Sequence, residues 1–141
     1  MKRTATAVWH GSLKEGSGKL TAPGGALRDT DYSFGSRFAS GAGTNPEELI
    51  AAAHAGCFAM ALSGALGEAG FTAARLEATA EVSFDNVPPK GWTITASHLV
   101  LTAEVPGIEA TRFAEVAAQA KANCPISRVL NAAITLTAKL A

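Results

Sequence analysis

The chain has 141 residues, of which 12 are basic and 12 acidic. That length supports about one domain, residues 1–141, with a sizeable core, and the balanced charge excludes an electrostatic footprint for nucleic acid or an anionic membrane surface. The N-terminal MKRTATAVWHG lacks the apolar core of a signal peptide, so a cytoplasmic location is expected, where two cysteines point to reactive thiols rather than a structural bridge.

Arg3 to Trp9 alternates polar with apolar residues and predicts a strand. His10 to Gly18 carries three glycines and reads as a turn, with Lys19 to Ala22 as the return strand. Pro23-Gly24-Gly25 turns the chain again. A strand-like piece from Ala26 to Phe38, broken near Asp29–Asp31, delivers Phe34, Arg37 and Phe38 ahead of the loop Ser40–Gly43.

The stretch Thr44–Phe71 organises the rest. Asn45 is a good N-cap, Pro46 suits the first helical position, and Glu47 and Glu48 place negative charge at the positive end of the dipole. No charged residue occurs from Leu49 to Gly67, and Gly70 stops the helix. A helix apolar on every face is expected to be buried on every face. A membrane span is disfavoured, because the run is mostly Ala and Gly and its flanks lack a Lys/Arg bias.

Beyond it the period becomes two. Leu76, Ala78, Ala80, Val82 and Phe84 alternate with polar residues, a half-buried strand. Pro88-Pro89-Lys90-Gly91 turns it into a second strand from Trp92 to Val105, whose parity flips, predicting a bulge near Ser97–His98. Glu109–Asn123 reads as a helix with the stripe Phe113, Val116, Ala117 and Ala120; a short helix, Pro125–Asn131, and a strand, Ile134–Leu140, follow. The expected class is α+β, with antiparallel sheets wrapped around the long central helix.

Few residues carry chemistry. The histidines are scattered, neither cysteine belongs to a CxxC, and no metal site is expected. Cys57 lies mid-helix, where burial raises a thiol pKa, so by itself it reads as a small core residue. It becomes reactive only if a cation reaches it. His54 stands three residues earlier on the same helix face, and Arg37 is the rival. Cys124, next to Pro125 at a helix start, is by local physics the more acidic thiol.

Thr44-Asn45-Pro46-Glu47-Glu48-Leu49-Ile50, then Ala52-Ala53-His54-Ala55, Cys57-Phe58 and Met60-Ala61-Leu62, together resemble the osmotically inducible protein C and organic hydroperoxide resistance (OsmC/Ohr) family. Cys124-Pro125 with Val129-Leu130 resembles the family's second cysteine motif, and Arg37-Phe38 falls where the family carries its catalytic arginine. The Glu-Glu-Leu-Ile and His-Ala sequences look closer to the osmotically inducible branch. Asn123 departs from the glycine that often precedes the second Cys-Pro.

The resemblance implies an intertwined homodimer with active sites at the subunit interface. It implies a thiol peroxidase for organic hydroperoxides, and more slowly hydrogen peroxide, in oxidative or osmotic stress defence. In that reading Cys57 attacks the peroxide, Arg37 activates, Glu47 orients Arg37, and Cys124 closes a disulfide that a dithiol, such as a lipoyl-type one, reduces. No cofactor is required. Phe34, Phe38, Phe58 and Met60 are expected to supply an apolar approach for substrate. Glu47 and Cys57 lie 57 − 47 = 10 residues apart on one helix, roughly 15 Å along its axis. This spacing favours Arg37 and Glu47 reaching Cys57 from the other subunit. Two alternatives stay open: a dimeric, non-enzymatic binding protein for an apolar ligand, and a Cys57–His54 acyl-transfer or hydrolase site.

Overall fold

Strands Thr6–His10 (β1) and Ser17–Thr21 (β2) pair antiparallel, and Thr30–Ser33 (β3) continues the sheet on the far side of β2. Gly18 sits between Trp9 and Tyr32 in this register. The two aromatic rings approach to 5.2 Å, and a Cβ on Gly18 would come within 2.3 Å of the Tyr32 ring. The glycine therefore gives Tyr32 the space beside the strand that a side chain would fill.

The computed structural model describes every residue, Met1–Ala141, as two compact units, Met1–Leu49 and Ile50–Ala141. In the first unit the expected strand over Ala26–Phe38 is corrected. Only Thr30–Ser33 is extended, and Phe34–Phe38 forms a short helix (α1). Ser33 and Ser36 form a capping box, each side chain accepting from the other's backbone N–H at 3.1 and 2.9 Å. These four satisfied groups outweigh the extended preference of Phe34 and Phe38. The Ser36 hydroxyl also donates to the Thr44 carbonyl (2.7 Å), and Asn45 Nδ2 donates to the Ser36 carbonyl (3.0 Å), fastening α1 to the segment that starts the next helix.

That helix, Pro46–Glu68 (α2), begins where its capping signals predict: Asn45 Oδ1 accepts the Glu48 N–H at 2.9 Å. It ends in paired bonds from Phe71 N–H to the Leu66 carbonyl and Gly70 N–H to the Gly67 carbonyl, with Gly70 at φ +87°. Burial on every face is not what the chain provides. His54, Phe58, Leu62 and Leu66, spaced by four, are buried, while other faces stay open, with Met60 79% exposed. The helix is also long and apolar enough to cross a membrane by length and composition.

In the second unit Arg75–Val87 (β4) pairs antiparallel with Gly91–Glu104 (β5), and the inward residues of β4 are those the alternation predicts. Ser83 faces Ala96 but Phe84 faces Ile94, so Thr95 is the bulged residue, two positions before the expected site. Helices Ala110–Asn123 (α3) and Pro125–Val129 (α4) follow. Ala133–Leu140 (β6) then pairs with β5 in parallel, a correction to the all-antiparallel expectation. The intervening α3 and α4 supply the long connection a parallel pair needs.

The core of this unit joins Phe58, Leu62 and Leu66 of α2 to Leu99, Leu101 and Ala103 of β5 and to the four-residue α3 stripe. Each element contributes its periodic apolar face, which is the economy of a two-layer α+β fold.

Candidate active site

In the first unit Arg37 occupies the last turn of α1 and Glu47 the first turn of α2. The Ser36 and Asn45 bonds that fasten these elements set the two side chains face to face. Arg37 Nη2 donates to Glu47 Oε1 at 2.7 Å and Nε donates to Oε2 at 3.2 Å, a two-pronged ion pair. Glu47 is the more enclosed partner, its side chain 12% exposed against 34% for Arg37. The guanidinium also lies 5.5 Å from the centre of the Phe38 ring, which itself packs 4.6 Å from Phe34.

Arg37, Phe34 and Phe38 border a cavity of about 320 Å³ that Trp9, Leu13, Tyr32, Ser33 and Pro46 complete. Its walls are apolar and aromatic, with one cation. Two of the four residues expected to contact substrate, Phe34 and Phe38, line it. Trp9, Leu13 and Tyr32 were not anticipated. The signal for the first and last was the glycine-flanked strand that makes room for a ring.

The second unit holds the thiols. Phe58, expected at the substrate approach, is instead fully enclosed in the core, because its position matches the buried α2 stripe. Met60 is exposed and borders a separate hollow of about 240 Å³ between α2 and α3, with Gln119 and Asn123. Cys57 is half-buried beside the α2 stripe, and Cys124 is fully buried at the joint where α3 ends and α4 begins. Both are free, and they are near enough for each to influence the other's ionisation.

The pair divides one charge unequally. Burial raises the Cys57 thiol above its ordinary value; the Ile126 N–H opposes this, and the neighbouring Cys124 adds to it. At Cys124 burial also raises the pKa, but the hydrogen bonds prevail and the thiol is lowered. These come from the Ser127 N–H, the Cys57 thiol, the Ser127 hydroxyl and the Ile126 N–H. Two thiols this close titrate as a unit, losing one proton readily and the second with difficulty. The expected greater acidity of Cys124 matches this arrangement.

His54 is fully buried, and both ring nitrogens have partners: Nδ1 meets Ser97 Oγ at 2.7 Å, and Nε2 meets Ser127 Oγ at 2.8 Å. Burial lowers its pKa, which disfavours the charged ring. Neither nitrogen serves Cys57, although the two residues share a helix. No three His, Cys, Asp or Glu side chains gather where they could hold a metal ion.

The family model described as OsmC-like protein matches residues 39–139. Peroxiredoxin OsmC of Escherichia coli (strain K12) is 49% identical over 134 residues, covering 95% of this chain and 93% of that protein. Peroxiredoxin OsmC of Shigella flexneri matches to the same extent. Among solved structures, the organic hydroperoxide resistance protein OhrB of Bacillus subtilis superposes with a TM-score of 0.69 at 25% identity, over 98% of each chain. An OsmC-like protein from Mycoplasma pneumoniae gives a TM-score of 0.75 at 17% identity, over 99% of this chain and 97% of that one, a likeness of fold. With both cysteine motifs, the Arg37–Glu47 pair and a sequence match along almost its entire length, the chain belongs to the OsmC family, in the OsmC branch of the wider OsmC/Ohr group.

Proposed function

We propose that the protein is a thiol peroxidase that reduces organic hydroperoxides through Cys57 and Cys124. The observation that carries this reading is a pair of free, neighbouring thiols, each influencing the other's ionisation, in a chain 49% identical to a peroxiredoxin. The Cys57 thiolate attacks the outer peroxide oxygen; the O–O bond breaks, Cys57 becomes a sulfenic acid, and the departing alkoxide takes a proton from water to leave as the alcohol. Cys124 then displaces hydroxide to form the disulfide, and a dithiol reductant returns both thiols by exchange.

Burial raises the Cys57 pKa, so efficient attack needs a cation. Arg37, held by Glu47, is the candidate, and a guanidinium also stabilises charge as it moves onto the leaving oxygen. In this reading the protein is an intertwined homodimer, and Arg37 and Glu47 of the partner subunit complete each thiol site. Support comes from α2, whose uncovered apolar faces require a second surface, and from its axial rise, which separates Glu47 from Cys57 by roughly 15 Å within one helix. The same covering supports a soluble, cytoplasmic protein acting as one domain of 141 residues. The aromatic cavity beside Arg37 supports alkyl and aryl hydroperoxides over hydrogen peroxide, and Met60 is available to extend the approach. No cofactor enters the cycle.

The test is a single-turnover assay on the reduced protein with one equivalent of cumene hydroperoxide or hydrogen peroxide. Loss of both thiols, faster with the organic peroxide, is the expected result. Thiols that survive the organic peroxide sink the peroxidase reading.

A further inference from the structure

We propose that Asn45 is a positioning residue for the reaction: its side-chain amide clamps the two peptide groups that adjoin Arg37 and Glu47, and so sets the cation that assists peroxide cleavage. The part played in the reaction rests on the peroxidase reading; the clamp itself rests on geometry. Asn45 Nδ2 donates to the Ser36 carbonyl at 3.0 Å, and Asn45 Oδ1 accepts the Glu48 N–H at 2.9 Å. The Ser36 carbonyl belongs to the peptide that leads into Arg37. The Glu48 N–H belongs to the peptide that leads out of Glu47. One planar amide thus holds both backbones from which the ion pair is built, and the pair closes with Arg37 Nη2 at 2.7 Å from Glu47 Oε1.

The partners also fix which way the amide faces. A carbonyl only accepts and a backbone N–H only donates, so exchanging Oδ1 with Nδ2 would lose both bonds. Capping alone does not call for asparagine. Ser, Thr and Asp accept the same N–H at a helix start, and Asp would add favourable charge at the positive end of the dipole. Ser and Thr, however, carry donor and acceptor on a single oxygen, and an ionised Asp only accepts. Asn places the two functions on separate atoms, and here both are used.

α1 needs this hold because it is five residues long and carries Arg37 in its last turn. Its own bonds, the Ser33–Ser36 box and the Ala39 N–H to the Gly35 carbonyl (3.0 Å), shape the turn without placing it against α2. Two further bonds end at Thr44, one residue before the cap. The Ser36 hydroxyl donates to the Thr44 carbonyl (2.7 Å), and the Thr44 N–H donates to the Asp31 carbonyl (2.8 Å). These close residues 31–44 into a loop whether or not position 45 carries an amide. Loss of the amide donor therefore leaves the loop closed and removes the hold on the peptide that carries Arg37. A displacement of about 1 Å at a reacting group is enough to cost up to a hundredfold in rate.

The experiment separates the two ends of the amide. Asn45→Asp keeps the capping oxygen and loses the donor. Asn45→Ser does the same without adding charge, on a side chain too short to reach both groups. The clamp predicts that each lowers kcat/KM for cumene hydroperoxide about tenfold or more, while the urea midpoint of Asn45→Asp stays close to that of the unmutated protein. Asn45→Ala, which loses the cap as well, lowers the midpoint too. In an Arg37→Ala background, adding Asn45→Asp costs nothing further, because the group it positions is gone. A residue that only supports the fold would cost the same in both backgrounds. Unaltered kinetics in either single variant, or an equal further loss in Arg37→Ala, overturns the proposal. Should one variant not fold, the other carries the test.

A second measurement needs no peroxide. The Arg37 Nε–H donates to Glu47 Oε2 at 3.2 Å, and its nitrogen-15 NMR signal is assigned by its loss in Arg37→Lys. Asn45→Asp and Asn45→Ser must speed exchange of this proton with solvent about tenfold as the pair loosens. Exchange that the substitutions leave unchanged overturns the clamp. If the unmutated protein ignores the peroxide, the peroxidase reading fails, and proton exchange alone decides whether Asn45 holds the pair.

Discussion

Arg37 and Glu47 lie ten residues apart in sequence and meet through hydrogen bonds from Nε and Nη2, along one edge of the guanidinium, the shortest of them 2.7 Å. Neither belongs to the thiol-bearing unit. The carboxylate fixes the orientation of a cation that would otherwise be a mobile surface side chain, and it does so at a site one wall of which is aromatic.

That geometry predicts graded losses. Arg37→Ala should lower kcat/KM for cumene hydroperoxide by about a hundredfold or more, the scale of a lost charge-stabilising donor. Arg37→Lys should recover little of it, since a lysine cannot reproduce the two-pronged bond. Glu47→Gln should cost less than Arg37→Ala, because the cation survives in looser orientation. Steady-state kinetics on the three variants checks this order. A Glu47→Gln protein that is more impaired than Arg37→Ala would contradict it.

The two thiols predict separable defects. Cys57→Ser should abolish peroxide consumption. Cys124→Ser should consume one equivalent and stop, leaving Cys57 as a sulfenic or more highly oxidised acid. Intact-mass measurement after one equivalent reads the difference. If Cys124→Ser fails to react at all, the roles of attacking and resolving thiol have been misassigned.

Much of this was legible in the sequence. The capping residues of α2 placed its start at Pro46, the period of β4 named its inner face, and the α3 stripe is the buried one. What the sequence did not reveal has physical reasons. α1 is five residues long and contains Gly35 between aromatics, so its helix rests on the Ser33–Ser36 box rather than on periodicity. The pattern of β6 gives its faces but not its direction, which the α3–α4 connection sets. The charge-free run of α2 marks it as apolar all round, yet cannot distinguish the face its own chain covers from faces left for another surface. His54 stood beside Cys57 on the helix, but its hydrogen bonds go to two serines far away in the chain.

His54 also makes stability pH-dependent. Its folded pKa lies below the ordinary 6.5 because burial penalises the imidazolium. Below that value the unfolded chain binds a proton that the folded chain does not, so stability falls as pH falls, by at most about 1.4 kcal/mol per pH unit. The contribution is fully present above 6.5 and is lost on descending towards the folded value. Urea midpoints at neutral and mildly acidic pH should therefore diverge in the unmutated protein and converge in His54→Gln. A slope that survives the substitution would assign the effect to other groups.

The core joint predicts a purely structural variant. Leu62 is fully buried between the α3 stripe and β5. Leu62→Ala should cost about 2–5 kcal/mol, the range for a buried leucine that leaves a cavity. Peroxide kinetics of the folded fraction should change far less than the urea midpoint. A large kinetic defect with normal stability would mean that α2 position, rather than core volume, is what Leu62 controls.

The last prediction concerns which chain supplies each group. Within one α2 helix the rise from Glu47 to Cys57 is roughly 15 Å, far beyond the reach of a glutamate side chain. Arg37 is bonded to Glu47 and travels with it. If the uncovered faces of two α2 helices pack antiparallel about a two-fold axis, the Glu47 end of one approaches the Cys57 region of the other. Each site would then take Cys57 and Cys124 from one chain and Arg37 with Glu47 from its partner. Cys57→Ser and Arg37→Ala homodimers should each be inactive. Mixed, unfolded and refolded together, they form heterodimers in which one site combines an intact Cys57 with an intact Arg37. Half-of-sites activity in the heterodimer, isolated with two different affinity tags, is the expected outcome. An isolated heterodimer without activity would mean that each site is built within a single chain.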